Sequence, residues 1–319
     1  MLIVTPNPAV DYTVRLAELR VGEVLRTRPG RAVAGGKGGN VARAARCLGV
    51  HATVLALMPQ GGREHLEALY AAEGFALRSV PVAGQVRTCT AIIEDGGRVT
   101  LLNEPGADVT DDDWARLMDA VRQHCTTDAE RLVLCSGSLP PGAPANGYAQ
   151  IVRLGHELGC EVIVDASREV LGHALAAGAD LVSPNVSEAE AALSGSAGTA
   201  GEPVDDDGAD VPERAQAAAA GLLGRGARWA VVTAGSAGAA VAGPDYAAWL
   251  PAPRVIAANP IGAGDSFLAG VATARLAGRD WPAAVRRGLA SGSASVEQAG
   301  AGVVDPARVD ELERTFGAS

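Results

Sequence analysis

The stretch with the clearest chemical potential runs from Asn259 to Phe267 and reads Asn-Pro-Ile-Gly-Ala-Gly-Asp-Ser-Phe. Apolar residues at helical spacing follow it, so the glycines predict a turn that opens a helix. Such a turn brings backbone N–H groups close to an anion. A phosphoryl group could lie there, with Asp265 as the base that takes a proton from an acceptor hydroxyl. A plain turn with Asp265 as a helix cap explains the same residues.

A second glycine-rich run, from Ala34 to Ala45, precedes another predicted helix and contains one cation, Lys37. Lys37 is followed by glycine and not by serine or threonine, which excludes the Walker pattern of P-loop nucleotide sites. Close backbone approach at Gly35 and Gly36, beside a lysine and the amide of Asn40, suits a phosphorylated polyhydroxy ligand. We therefore predict a sugar-phosphate site here, with a glycine-rich linker as the alternative.

Three charged residues elsewhere are candidates for the same ligand. Asp11 follows a predicted strand at a proline-marked turn, where its carboxylate could bind two sugar hydroxyls or simply stabilise the turn. Arg26 and Arg87 fall in β-rich segments. As a pair they could clamp a phosphate, although an exposed arginine is more commonly a solvated charge.

Three motifs that follow predicted strands complete the set of candidates. Asn185 and Glu188 begin a helix three residues apart, which suits Mg²⁺ bound through water or a simple capping pair. Ser138 lies in a Gly-Ser-Leu-Pro-Pro-Gly turn. The run from Thr233 to Gly238 contains glycine turns that could admit a nucleotide, although glycine turns alone are weak evidence.

The order of predicted elements indicates an α/β protein. Short β-rich runs at residues 132–134, 161–164 and 229–232 alternate with segments of helical period such as 213–224, which predicts a parallel sheet covered by helices. Residues 11–33 and 86–104 break this alternation, and the second segment contains an Asp-Gly hairpin signal. We place both in a small β lid across one edge of the main sheet, within a single domain of residues 1–319. Residues 195–210, with Asp205–Asp207, are predicted to form an exposed acidic loop.

The composition excludes several kinds of partner. The 319 residues carry a net charge of −10, which is a poor match for nucleic acid or an anionic membrane. The five cysteines are scattered, which argues against a zinc site and a disulfide scaffold. The first residues show no basic leader, and no apolar run of about 18 residues follows. We therefore expect a cytoplasmic protein.

Taken in order, these motifs resemble the ribokinase-like sugar kinases of the PfkB family. The resemblance extends from Asn7 to Gly302. Its most specific parts are Gly35-Gly36-Lys37-Gly38, Asn185-x-x-Glu188 and Gly262-Ala263-Gly264-Asp265. It implies a three-layer α/β/α fold with a mainly parallel central sheet and a small β-sheet lid, and an ATP-dependent carbohydrate kinase that uses Mg²⁺.

Further motifs resemble the branch of this family that contains 1-phosphofructokinase and tagatose-6-phosphate kinase. They are Asn7-Pro8-Ala9-Val10-Asp11, Arg87-Thr88, Leu102-Asn103-Glu104-Pro105-Gly106 and Gly137-Ser138-Leu139-Pro140-Pro141-Gly142. This branch implies that the acceptor is a ketohexose monophosphate. Phosphorylation of fructose 1-phosphate to fructose 1,6-bisphosphate is the expectation, with tagatose-6-phosphate kinase and 6-phosphofructokinase as alternatives.

The resemblance also assigns roles to residues of this sequence. The base and anion hole would be Asp265 with Gly262, Ala263 and Gly264. The sugar phosphate would bind to Asp11, Gly35, Gly36, Lys37, Asn40, Arg87 and Ser138, and Arg26 would reach the neighbouring site of a homodimer formed through the lid. The nucleotide would contact Asn185, Thr233, Gly235, Gly238 and Gly264, and Glu188 would hold Mg²⁺ through water.

Two other functions remain open from sequence. A nucleoside or unphosphorylated-sugar kinase could use the same scaffold, but Lys37 and Arg87 argue against it. A non-catalytic sugar-phosphate sensor is suggested only by Ser183, which stands where relatives commonly have a lysine before Pro-Asn. A hydride-transfer enzyme is poorly supported, since no Gly-x-Gly-x-x-Gly follows the first strand.

Overall fold

The computed structural model of the protein describes residues 1–128, 130–195, 208 and 210–317. Most of the predicted acidic loop, including Asp205–Asp207, lies outside the described residues. The strands are β1 (Leu2–Val4), β2 (Ala9–Leu16), β3 (Arg31–Gly35), β4 (Thr53–Gly61), β5 (Ala76–Gln85), β6 (Arg87–Glu94), β7 (Val99–Asn103), β8 (Leu132–Ser136), β9 (Glu161–Asp165), β10 (Leu181–Val182), β11 (Ala230–Thr233), β12 (Gly238–Gly243) and β13 (Tyr246–Pro251). The helices are α1 (Gly36–Cys47), α2 (Arg63–Ala72), α3 (Asp111–Thr127), α4 (Gly147–Glu157), α5 (Arg168–Ala176), α6 (Val186–Ser194), α7 (Val211–Gly224), α8 (Ala263–Leu276), α9 (Trp281–Val296) and α10 (Pro306–Arg314).

Nine strands form one large sheet in the order β13-β12-β11-β10-β9-β8-β1-β4-β5. Neighbours from β11 to β5 in that order are parallel, and β12 and β13 are antiparallel. The central strands are continuous apolar runs because both faces of the sheet are buried. Their carboxyl ends all lie at one edge, which is where ligands bind in open α/β sheets.

Helices cover both faces of this sheet. Helices α3–α7 pack on the face that carries Val133, Val162 and Val164, whereas α1, α2 and α8–α10 pack on the face that carries Leu134 and Ile163. Successive residues of a strand point to opposite faces, so each central strand contributes to both hydrophobic cores. The predicted three-layer α/β/α fold is confirmed.

A separate small sheet has the strand order β3-β2-β6-β7. Strand β2 pairs antiparallel with β3 and parallel with β6, and β6 and β7 form the predicted hairpin. The hairpin turn contains Gly97 with a φ of +86°, a conformation that glycine adopts without strain. The four strands lie largely in the two predicted lid segments, although β2 begins at Ala9 and β3 ends at Gly35. We call this sheet the lid.

The other predicted elements agree with the structure, with three differences of detail. Residues 132–134 and 161–164 lie in β8 and β9, and residues 213–224 lie in α7. Strand β11 begins at Ala230, so it contains residues 230–232 of the predicted run 229–232 but not Trp229. Helix α1 begins at Gly36, so Lys37 and Asn40 lie on the helix and not in a loop before it. Asp11 is the third residue of β2 and does not lie in the preceding turn. Among the described residues, no helix combines the length and the apolar character needed to cross a membrane.

Candidate active site

The lid and the carboxyl edge of the large sheet enclose a cleft of about 960 Å³. The predicted residues Asp11, Gly36, Lys37 and Asn40 line it from β2 and α1. Arg26, Arg87 and Ser138 line it as well, from the β2–β3 connection, from β6 and from the turn after β8. The fold therefore brings seven of the predicted sugar-phosphate residues to one cavity.

Asp265 lies in the first turn of α8, as the glycine-rich motif predicts. Gly262 precedes the helix with a φ of +81°, and an added Cβ there would lie 3.0 Å from the amide nitrogen of Gly302, so a larger residue would strain this turn. Gly264 is exposed, with open space where a side chain would be. The backbone at the start of α8 is therefore accessible from solvent.

The carboxyl group of Asp265 is buried and held by one amide. Its Oδ2 accepts a hydrogen bond of 2.8 Å from Nδ2 of Asn40, and its side chain is only 7% exposed. Burial raises the pKa of Asp265 to about 7, although Lys37 and the bond from Asn40 act in the opposite direction. A carboxyl group whose pKa lies near neutrality is suited to take up a proton during a reaction.

Lys37 forms an ion pair that the sequence did not predict. Its Nζ lies 3.0 Å from Oδ2 of Asp165, the last residue of β9, and the hydroxyl of Ser136 donates to the same oxygen over 3.2 Å. Lys37 is partly exposed, and its partial desolvation favours the neutral amine, but the charges of Asp165, Glu188 and Asp265 outweigh this effect and raise the pKa of Lys37. Lys37 is therefore the cation in a group of three carboxylates.

Asp11 lies where the lid joins α1. Its Oδ1 accepts a hydrogen bond of 3.1 Å from the amide of Gly36, and a Cβ added to Gly35 would lie 2.2 Å from this carboxylate. Only glycine fits beside Asp11 at that position. Burial raises the pKa of Asp11, and the Gly36 bond, Arg43 and Arg87 oppose that rise.

The predicted phosphate-binding arginines differ in their surroundings. Arg87 donates to the carbonyl oxygens of Asn7 and Glu104, so its positive charge has neutral partners. Arg26 is exposed in the connection between β2 and β3. The hydroxyl of Ser138 accepts a bond of 3.2 Å from Nδ2 of Asn7. Both arginines therefore face the cleft without a carboxylate partner in the described part of the chain.

The predicted nucleotide residues lie at the carboxyl ends of β10 and β11. Asn185 and Glu188 form a reciprocal capping box at the start of α6, which is the alternative that spacing alone had left open. Asn185 and Thr233 are bridge partners on neighbouring chain segments, and Gly235 is exposed in the turn that follows. Gly238 is buried, and a Cβ there would lie 2.2 Å from the carbonyl oxygen of Leu250. The close approach at Gly238 is therefore to β13.

Three residues of the site were given no role of their own from sequence. Asp165 could have been found, because it ends an apolar run that predicts a buried parallel strand. Arg43 stands three residues after Asn40 on the same predicted helix, but nothing in the sequence shows which acceptors its guanidinium meets. Asn259 is buried, and its side-chain oxygen accepts from the amide of Ile261, so it shapes the turn before α8.

The family profile described as pfkB family carbohydrate kinase matches residues 5–308. The chain belongs to the PfkB family of carbohydrate kinases. It is therefore an ATP-dependent sugar kinase, as the motifs predicted.

Two relatives of this PfkB kinase are each named 1-phosphofructokinase. The one from Xanthomonas campestris pv. campestris is 33% identical over 86% of this chain and 84% of its own length. The one from Rhodobacter capsulatus is 31% identical over 98% of this chain and 95% of its own length.

Solved structures agree with the family. Phosphofructokinase-2 from Escherichia coli in complex with potassium has a TM-score of 0.86 and 26% identity, and covers 99% of both chains. The same enzyme in complex with fructose-6-phosphate has a TM-score of 0.85 and 25% identity, again over 99% of both chains. A tetrameric inhibited form has a TM-score of 0.85 and 26% identity, over 99% of this chain and 98% of that one. Oligomers therefore occur among the structural neighbours of this PfkB kinase.

Proposed function

We propose that this kinase transfers a phosphoryl group from ATP to a ketohexose monophosphate, with fructose 1-phosphate as the preferred acceptor. The observation that carries the proposal is the buried carboxyl of Asp265, which accepts a hydrogen bond from Asn40. Asn40 lines the same cleft as Arg26 and Arg87. A base bonded to a residue of the cleft, together with two cations in the cleft that have no carboxylate partner, suits an acceptor that already carries a phosphate. The names of the two curated relatives support this choice of acceptor.

In the proposed reaction Asp265 takes the proton of the acceptor hydroxyl. The hydroxyl oxygen then bonds to the terminal phosphorus of ATP, and the bond from that phosphorus to the bridging oxygen of ADP breaks. Within the described residues, the amides of Gly264 and Asp265 have no acceptor in the protein. Such N–H groups at the first turn of a helix can bind the oxygens of the moving phosphoryl group.

We assign Lys37 to the transferring phosphoryl group. Sequence reasoning placed this cation at the phosphate of the acceptor, but it lies 3.0 Å from Asp165 and within the electrostatic influence of Asp265. A cation beside the base neutralises charge where the new bond forms. The phosphate that the acceptor already carries would then be bound by Arg87, Ser138 and Arg26.

We assign the nucleotide and Mg²⁺ to the strand ends beside Lys37, on the basis of charge and donor type. Asn185, Thr233 and Gly235 lie together at the strand ends next to Lys37, and the exposed turn at Gly235 leaves room for a nucleotide. The carboxylates of Asp165 and Glu188 both act on Lys37, and such oxygen donors suit Mg²⁺ held through water. When bound there, Mg²⁺ would neutralise charge on the phosphates of ATP.

The test of the proposed acceptor is ADP release by the purified chain with ATP and Mg²⁺. The panel is fructose 1-phosphate, tagatose 6-phosphate, fructose 6-phosphate, fructose and a nucleoside. We expect turnover with phosphorylated ketohexoses and the highest kcat/KM with fructose 1-phosphate. Preference for an unphosphorylated acceptor would overturn the roles of Arg26 and Arg87. Binding of a sugar phosphate without turnover would identify a sensor.

The raised pKa of Asp265 predicts how activity and stability depend on pH. Because the base must be ionised, kcat/KM should rise as pH increases through about 7, the pKa of this group, and then level off.

The same raised pKa affects stability, because protonated Asp265 stabilises the fold. The contribution of this proton to the free energy of unfolding is complete below the ordinary carboxyl pKa and is lost as pH rises through about 7. Asp265→Asn should therefore have a higher Tm than wild type at pH 8 and an equal one near pH 4. An acid limb near pH 4 would contradict the burial of this base.

We also propose a homodimer formed through the lid. Leu102 on β7 is 57% exposed, and Val21 and Val24 in the β2–β3 connection are 97% and 86% exposed. All three residues belong to the lid strands or to the connection between them, and exposed apolar side chains of this kind are typical of a surface that another chain covers. Arg26 lies in the same connection, so a partner subunit would lie beside it.

Replacing Leu102 with aspartate should convert the dimer to a monomer and raise the KM for the sugar phosphate about tenfold, because the β2–β3 connection that brings Arg26 to the cleft would lose the partner surface beside it. Light scattering coupled to size exclusion, with kinetics at the same concentration, measures both. Ile256→Asp is the matched control, since Ile256 is 90% exposed but lies outside the lid. A fully active wild-type monomer would exclude the proposal.

We further propose a cytoplasmic location. All five cysteines are free thiols, and three of them, Cys125, Cys135 and Cys160, are buried. Unpaired buried thiols are typical of proteins kept in a reducing compartment.

A further inference from the structure

Arg43 on α1 makes more polar contacts than any predicted site residue, although no role was assigned to it. Its side chain is only 12% exposed. Nη1 donates to Oδ1 of Asn40 at 2.8 Å and to the carbonyl of Ala301 at 2.9 Å. Nη2 donates to the carbonyl of Ala34 at 2.8 Å, and Nη2 and Nε both donate to the carboxylate of Glu73. All five N–H groups of the guanidinium are thus used.

The bond to Asn40 decides which way its amide points. A side-chain amide has one oxygen and one NH₂ group, and exchanging them reverses its donor and acceptor ends. Because Arg43 can only donate, Oδ1 of Asn40 must face it, and Nδ2 must then face Asp265. In the reverse orientation, the amide oxygen of Asn40 would face the carboxylate of Asp265, and its NH₂ group would face the guanidinium of Arg43. Two acceptors and two donors would then oppose each other, which is unfavourable once Asp265 is ionised.

The other contacts of Arg43 fix the chain segments on either side of Asn40. The amide of Ala34 donates to Glu73, and its carbonyl accepts from Arg43. The two side chains therefore bind both backbone polar groups of Ala34, where β3 meets the glycine-rich start of α1. On the opposite side, the loop at Ala301 packs against Gly262, where an added Cβ would lie 3.1 Å from the Ala301 Cβ. Arg43 therefore links the base of the lid to the turn before α8.

We propose that Arg43 is a positioning residue for phosphoryl transfer, which acts through Asn40 to keep the carboxylate of Asp265 hydrogen-bonded and in a fixed orientation. This inference rests on the proposed role of Asp265 as base. Arg43 does not touch the acceptor in this assignment. Its effect on rate passes through the amide of Asn40.

The environment of Asp265 gives the proposal a specific signature. The charged groups that act on it are Lys37 from α1, Asp165 from the end of β9 and Asp11 from β2. The bond from Asn40 lowers the pKa of Asp265, against the larger effect of burial. If Arg43 no longer fixes the amide, that bond is weakened, and the acid limb of the pH–rate profile moves to higher pH.

Arg43→Lys is the decisive variant, because it keeps the positive charge but cannot reproduce five directed bonds. We expect kcat to fall about tenfold to a hundredfold, the KM for ATP to change less than about twofold, and the acid limb to rise by about one pH unit. Glu73→Gln is the matched control. It weakens the ion pair and lowers Tm, but leaves both bonds from Nη1 in place, so its acid limb should match that of wild type.

A double-mutant cycle with Asn40→Ala separates positioning from general stability. If Arg43 acts through Asn40, adding Arg43→Lys to Asn40→Ala should lower kcat by less than about threefold further. Full additivity in kcat, or a lower Tm with an unmoved acid limb in Arg43→Lys, would overturn the proposal. Failure of the proposed function is recognised separately, because wild-type protein would then show no turnover with any acceptor of the panel.

The pH dependence of Tm supplies a readout that needs no turnover. The stability lost as Asp265 ionises should be lost at a higher pH in Arg43→Lys than in wild type, by the same interval as the acid limb. Equal pH dependence of Tm in the two proteins, together with equal acid limbs, would show that Arg43 has only a structural role.

Discussion

Asp265→Asn is expected to lower kcat by about a thousandfold while the KM values for ATP and the sugar phosphate change by less than about threefold. The side chains have the same shape, and Oδ1 of the new asparagine can still accept from Nδ2 of Asn40. Only the ability to take up the acceptor proton is lost. Steady-state ADP release with fructose 1-phosphate, together with isothermal titration of the sugar phosphate, measures the two effects separately.

Asp305→Asn provides the control for this substitution. Asp305 caps α10 through a bond to the amide of Ala307 and does not line the cleft, so its replacement should leave kcat unchanged. If Asp265→Asn kept near-normal kcat, the base would have to be another residue, and Asp165 would be the next carboxylate to replace.

Lys37→Met is expected to reduce kcat by about a hundredfold, which is the scale of losing one charge-stabilising group at a reacting centre. The substitution removes the cation between Asp165 and Asp265 and leaves the buried carboxylate of Asp165 without its ion pair. Because Lys37 lowers the pKa of Asp265, its loss should also move the acid limb of the pH–rate profile upward. Kinetics from pH 6 to 9 for both substrates measure these changes.

The split between kcat and KM decides what Lys37 does. A lower kcat with little change in either KM supports a role at the transferring group. A large rise only in the KM for the sugar phosphate would return Lys37 to the acceptor phosphate, as the sequence suggested. Lys37→Arg keeps the charge and should retain more activity than Lys37→Met. Unchanged kinetics in Lys37→Met would remove this residue from the site.

Much of the fold could be predicted because its determinants are local. The apolar run that ends at Asp165 and the glycine turn at residues 262–264 each carry their structure in a short stretch of sequence. The Asp-Gly signal likewise identified the hairpin of β6 and β7. The position of Asp11 was less predictable, because a strand of the lid and a turn before it differ only in the tertiary pairing of β2 with β3 and β6.

The candidate site was predictable by residue type and much less so by partnership. Lys37 and Asn40 were found from sequence, but the ion pair of Lys37 joins residues 128 positions apart, and spacing carries no information over that distance. Apart from Asn40 on the same helix, the acceptors of Arg43 lie on β3, after α2 and after α9, so only the folded chain brings them together. At Gly238 the residue type misled, because a glycine expected to contact the nucleotide instead lies against the backbone of β13.

The ion pair between Lys37 and Asp165 has one consequence for chemistry in solution. Lys37 is the single lysine in the sequence, so every side-chain amine signal from this protein originates in the cleft. An acylating reagent, or isotopically labelled lysine observed by NMR, would therefore report on this site alone among the side chains. Because its carboxylate neighbours keep the amine protonated, acylation should be slow in the folded protein and fast once it unfolds.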